Sequence, residues 1–218
     1  MFYYYGRKKK IIKYYPKPMH DFIIEPFAGA AAYAMEYYDK NVFLFEINPK
    51  ISGAWEFLIK ANSSDILQLP LLKDNQSLND PEFNNLTDPE KYVIGLFLNP
   101  GSSTPKKSPG NYCAWTEEKR KELSEDVLKV KHWTIINGDY RKASDITATW
   151  FIDPPYFNGG KYYQFHNINY QELANWCLSR KGQVIVCENE GADWLPFKPL
   201  IQLKGQKYSK MEMIYTNL

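Results

Sequence analysis

Short apolar runs alternate with amphipathic stretches at both ends of the chain. Phe22-Ile23-Ile24-Glu25-Pro26-Phe27 is an apolar run that leads to Gly29, and residues 30–38 are rich in helix formers. That order predicts a strand, a tight turn and a helix. Residues 42–46 read as a second buried strand, and residues 49–61 as a helix with Pro49 in its first turn, where a missing N–H does no harm. Strand patterns return at 133–136, 149–152 and 183–187, and Asn169-Tyr170-Gln171-Glu172 has the form of a capping box opening a helix that ends near Ser179. Residues 210–216 alternate and are expected to form a final edge strand. Strands separated by helices imply a parallel sheet, hence an α/β fold.

The alternation lapses between 62 and 131. Asparagine-rich loops, a helix over 88–98, a Pro/Gly/Ser/Lys loop over 99–111 and a charged helix beginning at Thr116 fill this stretch. Thr116 suits an N-cap, Glu117 and Glu118 face the positive end of the helix dipole, and Leu123, Val127 and Val130 fall on one face. The chain therefore divides into a core of residues 1–61 and 132–218 and a small, mostly helical insertion of residues 62–131. At 218 residues it is long enough for one such core and too short for two full-sized domains.

Composition narrows the classes. Apolar residues at 44% and charged residues at 24% are ordinary for a globular protein, and no apolar run reaches the roughly 18 residues of a membrane span. The N-terminus is aromatic first and basic second, the reverse of a secretory signal, so a cytoplasmic protein without a membrane partner is expected. Cys113, Cys177 and Cys187 lack paired spacing and read as reduced thiols; His20, His132 and His166 are scattered, so no metal site is expected. The net charge of +2 is small, but Arg7, Lys8, Lys9, Lys10, Lys13 and Lys17 crowd the N-terminus. Aromatics, at 16%, suit stacking on planar rings and equally suit a tyrosine-rich core.

The sharpest chemical signal is Asp153-Pro154-Pro155-Tyr156 at the end of an apolar strand, where open α/β sheets bind their ligands. Two prolines fix φ and offer no N–H, which leaves a stiff corner of oxygen acceptors between a carboxylate and an aromatic ring. Such a corner can activate an aromatic amine: the Asp153 carboxylate and the Pro154 carbonyl hold its hydrogens so that the lone pair points at an electrophile, and Tyr156 stacks on the ring. An Asp-Pro turn beside a core tyrosine is the plain alternative. Phe27-Ala28-Gly29, entering a helix, lets a ligand approach the backbone, or serves close helix-strand packing. Glu46 ends the next strand, 17 positions after Gly29, where an acid can accept hydrogen bonds from ribose hydroxyls or simply lead a helix on the surface.

Taken together, these segments resemble the Dam-like class of DNA adenine methyltransferases, and the resemblance covers most of the chain. It implies a Rossmann-like S-adenosylmethionine-dependent methyltransferase fold and transfer of a methyl group to the N6 amine of a flipped adenine. Tyr4-Tyr5-Gly6-Arg7-Lys8 resembles the class's N-terminal aromatic-x-Gly-x-Lys motif, which puts Tyr4 and Lys8 on the cofactor, the lysine near its carboxylate. Residues 25–31 are similar to the Phe-x-Gly motif beneath the cofactor (Phe27, Ala28, Gly29), and Glu46 and Ile47 to the segment holding its ribose. Asp139 and Tyr140 are similar to the segment beside its adenine, and Asp153, Pro154 and Tyr156 to the catalytic tetrad, with Asp153 also touching the cofactor. The insertion lies where that class carries its DNA-recognition region. Ala31 departs from the pattern, standing where many relatives have a second glycine, and the insertion aligns with no known recognition domain.

DNA is the expected partner. Lys9 and Lys10 are candidate phosphate contacts or a solvated face, and Ser103, Lys106 and Lys107 are candidates in a loop that either touches DNA or is mobile. His166 is a weak candidate for gating the pocket. The same fold acting on RNA or on a cytosine amine, a catalytically silent nucleic-acid-binding relative, and an amide methyltransferase are the competing readings; the last would more naturally begin its tetrad with Asn.

Overall fold

The computed structural model describes residues 1–204 and 209–218. Seven strands form one sheet in the order β3-β2-β1-β4-β5-β7-β6. They are β1 (Phe22–Glu25), β2 (Asn41–Glu46), β3 (Thr134–Asn137), β4 (Ala148–Ile152), β5 (Gly182–Asn189), β6 (Lys198–Lys204) and β7 (Ser209–Thr216). The first five run parallel, and β7 inserts antiparallel between β5 and β6. The architecture is Rossmann-like. Strand order reverses between β1 and β4, which makes the carboxyl ends of these two strands the place where such a sheet opens a crevice.

The central strands β1, β2, β4 and β5 read as largely apolar runs because both of their faces are covered. Successive residues point to opposite sides: Ile23, Leu44, Phe151 and Ile185 enter one core, while Ile24, Phe45, Trp150, Val184 and Val186 enter the other. The first core holds α2 (Pro49–Lys60), α4 (Asp88–Leu98) and α5 (Glu117–Lys129); α6 (Tyr170–Leu178) covers the second. Asn48 caps α2 with Pro49 behind it, and Thr116 caps α5 by accepting from the Lys119 N–H at 3.3 Å.

Three expectations need correcting. The final strand is not an edge: β6, led by Lys198 and Pro199, pairs outside it and takes the edge position that tolerates proline. The helix after Gly29 shrinks to α1 (Ala32–Glu36), because its N-cap, Ala31, adopts φ 45° and the turn consumes the preceding residues. A further helix, α3 (Ser63–Gln68), forms within the stretch read as loop, capped by Asn62.

Residues 62–131 contain only helices and loops among the regular elements described, as expected. Ile66, Phe83, Val93, Phe97, Leu123 and Val127 nevertheless join the same core as β1, β2 and α2. The segment thus packs as part of the body of the fold.

Candidate active site

A cavity of about 390 Å³ opens at the carboxyl ends of β1, β2 and β4. Its floor is the turn after β1. Gly29 takes φ 45°, its N–H donates to Glu46 Oε2 at 3.0 Å, and its carbonyl accepts from Trp55 Nε1 of α2 at 2.8 Å. A Cβ at this position would lie 3.0 Å from the Tyr4 ring, so the glycine is what lets the N-terminal strap close over the turn. Phe27 stacks on Tyr140, centroids 5.5 Å apart, and forms an apolar wall.

Five carboxylates line the cavity, Glu25, Glu46, Asp139, Asp153 and Glu172, and the first four differ in state. Glu46 is 7% exposed; its Oε1 accepts from the Asn48 N–H at 2.9 Å, and burial lifts its pKa although backbone N–H groups partly offset that. Glu25, at the end of β1, accepts from the Ala34 N–H at 2.6 Å, and burial pushes its carboxyl up to about 8. Asp139 is held below the usual carboxylate range by Arg141, which donates to it from Nη2 at 2.7 Å and Nε at 3.1 Å. Asp153 forms a 2.8 Å ion pair with Lys8.

This last pair is the chemical centre. Lys8 is 7% exposed, and its ammonium also lies 3.7 Å from Glu212 and over the Tyr156 ring at 4.6 Å from the centroid. Burial opposes its charge, but the carboxylates of Asp153 and Glu212 outweigh that and raise its pKa. Burial pushes the Asp153 carboxyl up, and Glu212 adds to this, while Lys8 offsets part of it. One ammonium serves two acids.

Of the residues singled out in the sequence, Tyr4, Lys8, Phe27, Ala28, Gly29, Glu46, Ile47, Asp139, Tyr140 and Asp153 line the cavity. Pro154 and Tyr156 do not line the cavity: Pro154 is buried, and the Tyr156 hydroxyl donates to Glu212 Oε1 at 2.5 Å while one face of its ring lies under Lys8, so at most the other face is open to a partner. Lys8, in the cavity lining, donates from Nζ to Asp153 Oδ1 at 2.8 Å. His166 does line the cavity, and its Nδ1 donates to the Tyr163 carbonyl at 2.7 Å.

Lys9 and Lys10 are exposed and stand outside the cavity. The loop of residues 99–111 is fastened along its length. Lys106 N–H donates to the Gly95 carbonyl at 2.9 Å, Gly110 N–H to Leu98 at 2.9 Å, and the Lys107 carbonyl accepts from Leu78 at 2.7 Å. The side chains of Lys106 and Lys107 remain exposed, whereas the Ser103 hydroxyl donates to the Tyr162 carbonyl at 2.7 Å.

Sequence reasoning passed over Glu25 as a site member, Tyr163 and Phe165 on the loop after the tetrad, and Glu212. The aromatic run Tyr162-Tyr163-Gln164-Phe165 was a usable signal for the second group. Glu212 had none, since its partners Tyr15 and Tyr156 are far away in the chain.

Among the described residues, no group of three His, Cys, Asp or Glu side chains is arranged to hold a metal ion, and no helix is long and apolar enough to cross a membrane. No profile of a known protein family matches the chain, and no curated protein matches it. Solved structures similar to it include a protein from Escherichia coli, yhhF, provisionally titled a methyltransferase, at 10% identity and TM-score 0.39, covering 95% of this chain and 78% of that one. Another is a conserved hypothetical protein from Streptococcus pyogenes, at 10% identity and TM-score 0.37, covering 88% of this chain and 84% of that one. Resemblance at this level adds nothing to what the strand order itself establishes.

Proposed function

We propose that this chain transfers a methyl group from S-adenosylmethionine to the N6 amine of adenine in DNA. The observation that carries the reading is the placement of Asp153 in one cavity with Gly29 and Glu46, at the mouths of three adjacent strands. The residues present fit a nucleoside sulfonium. A volume of about 390 Å³ lies in the range of small-molecule pockets, Phe27 and Tyr140 offer a wall for a planar ring, and the buried Glu46 carboxylate keeps lone pairs for a ribose diol.

When bound, S-adenosylmethionine supplies an electrophilic methyl group with a neutral thioether as its leaving group. The chain's contribution is orientation and exclusion of water. Lys8 holds Asp153 Oδ1, leaving Oδ2 to accept from the adenine amine, and the Pro154 carbonyl is the second acceptor in this reading. No strong base is required at the outset, because the two acceptors aim the lone pair before any proton leaves; once methylated, the amine gives up its surplus proton along its hydrogen bond to Asp153 Oδ2 and on to solvent. An adenine in a duplex must leave the stack to reach such a depth, at a cost of a few kcal/mol. The exposed side chains of Lys106 and Lys107, with Lys9 and Lys10, are the proposed phosphate contacts; Ser103 is assigned first to the Tyr162 carbonyl.

The test is to incubate the full chain with methyl-labelled S-adenosylmethionine and unmethylated DNA or RNA, digest to nucleosides and separate them. Label in N6-methyldeoxyadenosine is the expected result. Label confined to a cytosine or to ribonucleosides moves the substrate assignment, and no label in either polymer overturns the reading.

A further inference from the structure

Glu212 sits on β7, between β5 and β6, opposite Asn189 on one side and Ile201 on the other. It is 5% exposed, and its Oε1 accepts from the Tyr15 hydroxyl at 2.7 Å and the Tyr156 hydroxyl at 2.5 Å. Both lone pairs of that oxygen are therefore engaged. Lys8 Nζ stands 3.7 Å from the same atom. One carboxylate oxygen thus gathers the N-terminal segment, the tetrad and the penultimate strand pair of the sheet.

A residue serving packing alone would not be an acid here, since burying a carboxylate is costly and a leucine would fill the position without that penalty. An acid is required if the two hydroxyls must be held in place and if the ammonium of Lys8 needs a second counter-charge. Holding the Tyr156 hydroxyl fixes the ring's tilt in the residue that ends the Asp153-Pro154-Pro155-Tyr156 corner. Drawing on Lys8 fixes the ammonium that grips Asp153 Oδ1. Glu212 does not line the cavity, so its effect on a ligand there passes through Tyr156 and Lys8.

We infer that Glu212 is a positioning residue of the Asp153 site, anchoring Tyr156 and Lys8 from the C-terminal strand so that Asp153 meets the acceptor amine in a fixed orientation. The inference rests on the methyl-transfer reading above and adds to it a residue from an element with no motif of its own.

The experiment uses the full chain with Glu212→Leu and Glu212→Gln, tyrosine labelled with carbon-13 at Cζ, and Tyr15→Phe and Tyr156→Phe to assign the two resonances. Both substitutions are expected to move the Tyr15 and Tyr156 resonances. The affinity for S-adenosylmethionine by calorimetry should stay within about threefold of wild type, because Glu212 does not line the cavity. The single-turnover rate of label transfer to DNA should fall on the order of 10²-fold in Glu212→Leu and about tenfold in Glu212→Gln, which keeps an acceptor oxygen. Should Glu212→Leu not fold, Glu212→Gln decides alone. A wild-type single-turnover rate in Glu212→Gln, or tyrosine resonances that do not move, overturns the inference while the activity of the wild-type chain stands. A wild-type chain that transfers no label overturns the methyltransferase reading and this inference with it.

Discussion

Ala31 adopts φ 45°, the one residue other than glycine with positive φ among those described. The left-handed conformation costs an alanine about 1–2 kcal/mol. Replacing it with glycine relieves that strain but gives up one buried methyl, about 0.8 kcal/mol, and adds freedom to the unfolded chain. The terms nearly cancel, so Ala31→Gly should lie within about 0.5 kcal/mol of wild type in urea unfolding. Ala34→Gly, equally buried but helical, should lose about 1.5–2 kcal/mol from the same methyl and the helix penalty. Equal losses at the two positions would contradict the strained turn. At Asp153, alanine leaves the Lys8 ammonium buried with Glu212 alone at 3.7 Å. Because Asp153 keeps about a fifth of its side chain exposed, the expected loss falls below the roughly 3–5 kcal/mol of a fully buried pair, to about 1–2 kcal/mol. Label transfer should fall to background in that variant, with calorimetry still registering the methyl donor.

The strap of residues 4–7 and the loop of residues 157–169 act on each other through aromatic rings. Tyr5 lies 5.3 Å from Tyr163 and 5.6 Å from Tyr162 between centroids, and the Tyr163 hydroxyl donates to the Tyr5 carbonyl at 3.2 Å. Gly6, at φ 77°, leaves room for that hydroxyl, and a Cβ there would run into it. Gly6→Ala should therefore part the strap from the loop. Limited proteolysis should then cut faster within 157–169, and affinity for S-adenosylmethionine should drop by about tenfold, equivalent to ~1.4 kcal/mol. Cleavage and affinity like those of the wild type would mean that this contact does not cover the cavity. Gly95 shows the same logic inside α4: a Cβ would lie 2.5 Å from the Lys106 carbonyl, so a helix-interior glycine, unfavourable by propensity, marks where the loop of residues 99–111 docks.

Across the molecule, buried acids dominate the pH response. Burial raises Glu25 to about 8 and also raises Glu46 and Glu188. An acid whose folded pKa exceeds its unfolded value binds more protons when folded, so it stabilises below that range and its contribution is lost as pH rises from about 4.5 toward the folded value. Asp126, Asp139 and Asp145 are lowered and act the other way, losing their contribution as pH falls below about 4. Urea midpoints should peak in mildly acidic solution and decline between pH 6 and pH 8, and Glu25→Gln should flatten that decline. A wild-type midpoint that rises steadily to pH 8 would refute the account.

The parallel core was legible in the sequence because its central strands are buried on both faces and are largely apolar, and the starts of α2 and α5 followed from Pro49 and Thr116, local features that act within one turn of helix. The candidate residues Gly29, Glu46 and Asp153 were legible for a similar reason, since each ends an apolar run and strand ends in such a sheet converge. The sequence could not reveal that β7 inserts between β5 and β6, because pairing partners are chosen by the whole sheet, nor that Lys8 turns to Asp153 and Glu212. Those contacts join residues 145 and 204 positions apart, and only the closed sheet, by burying one ammonium with two carboxylates, decides which charges must meet.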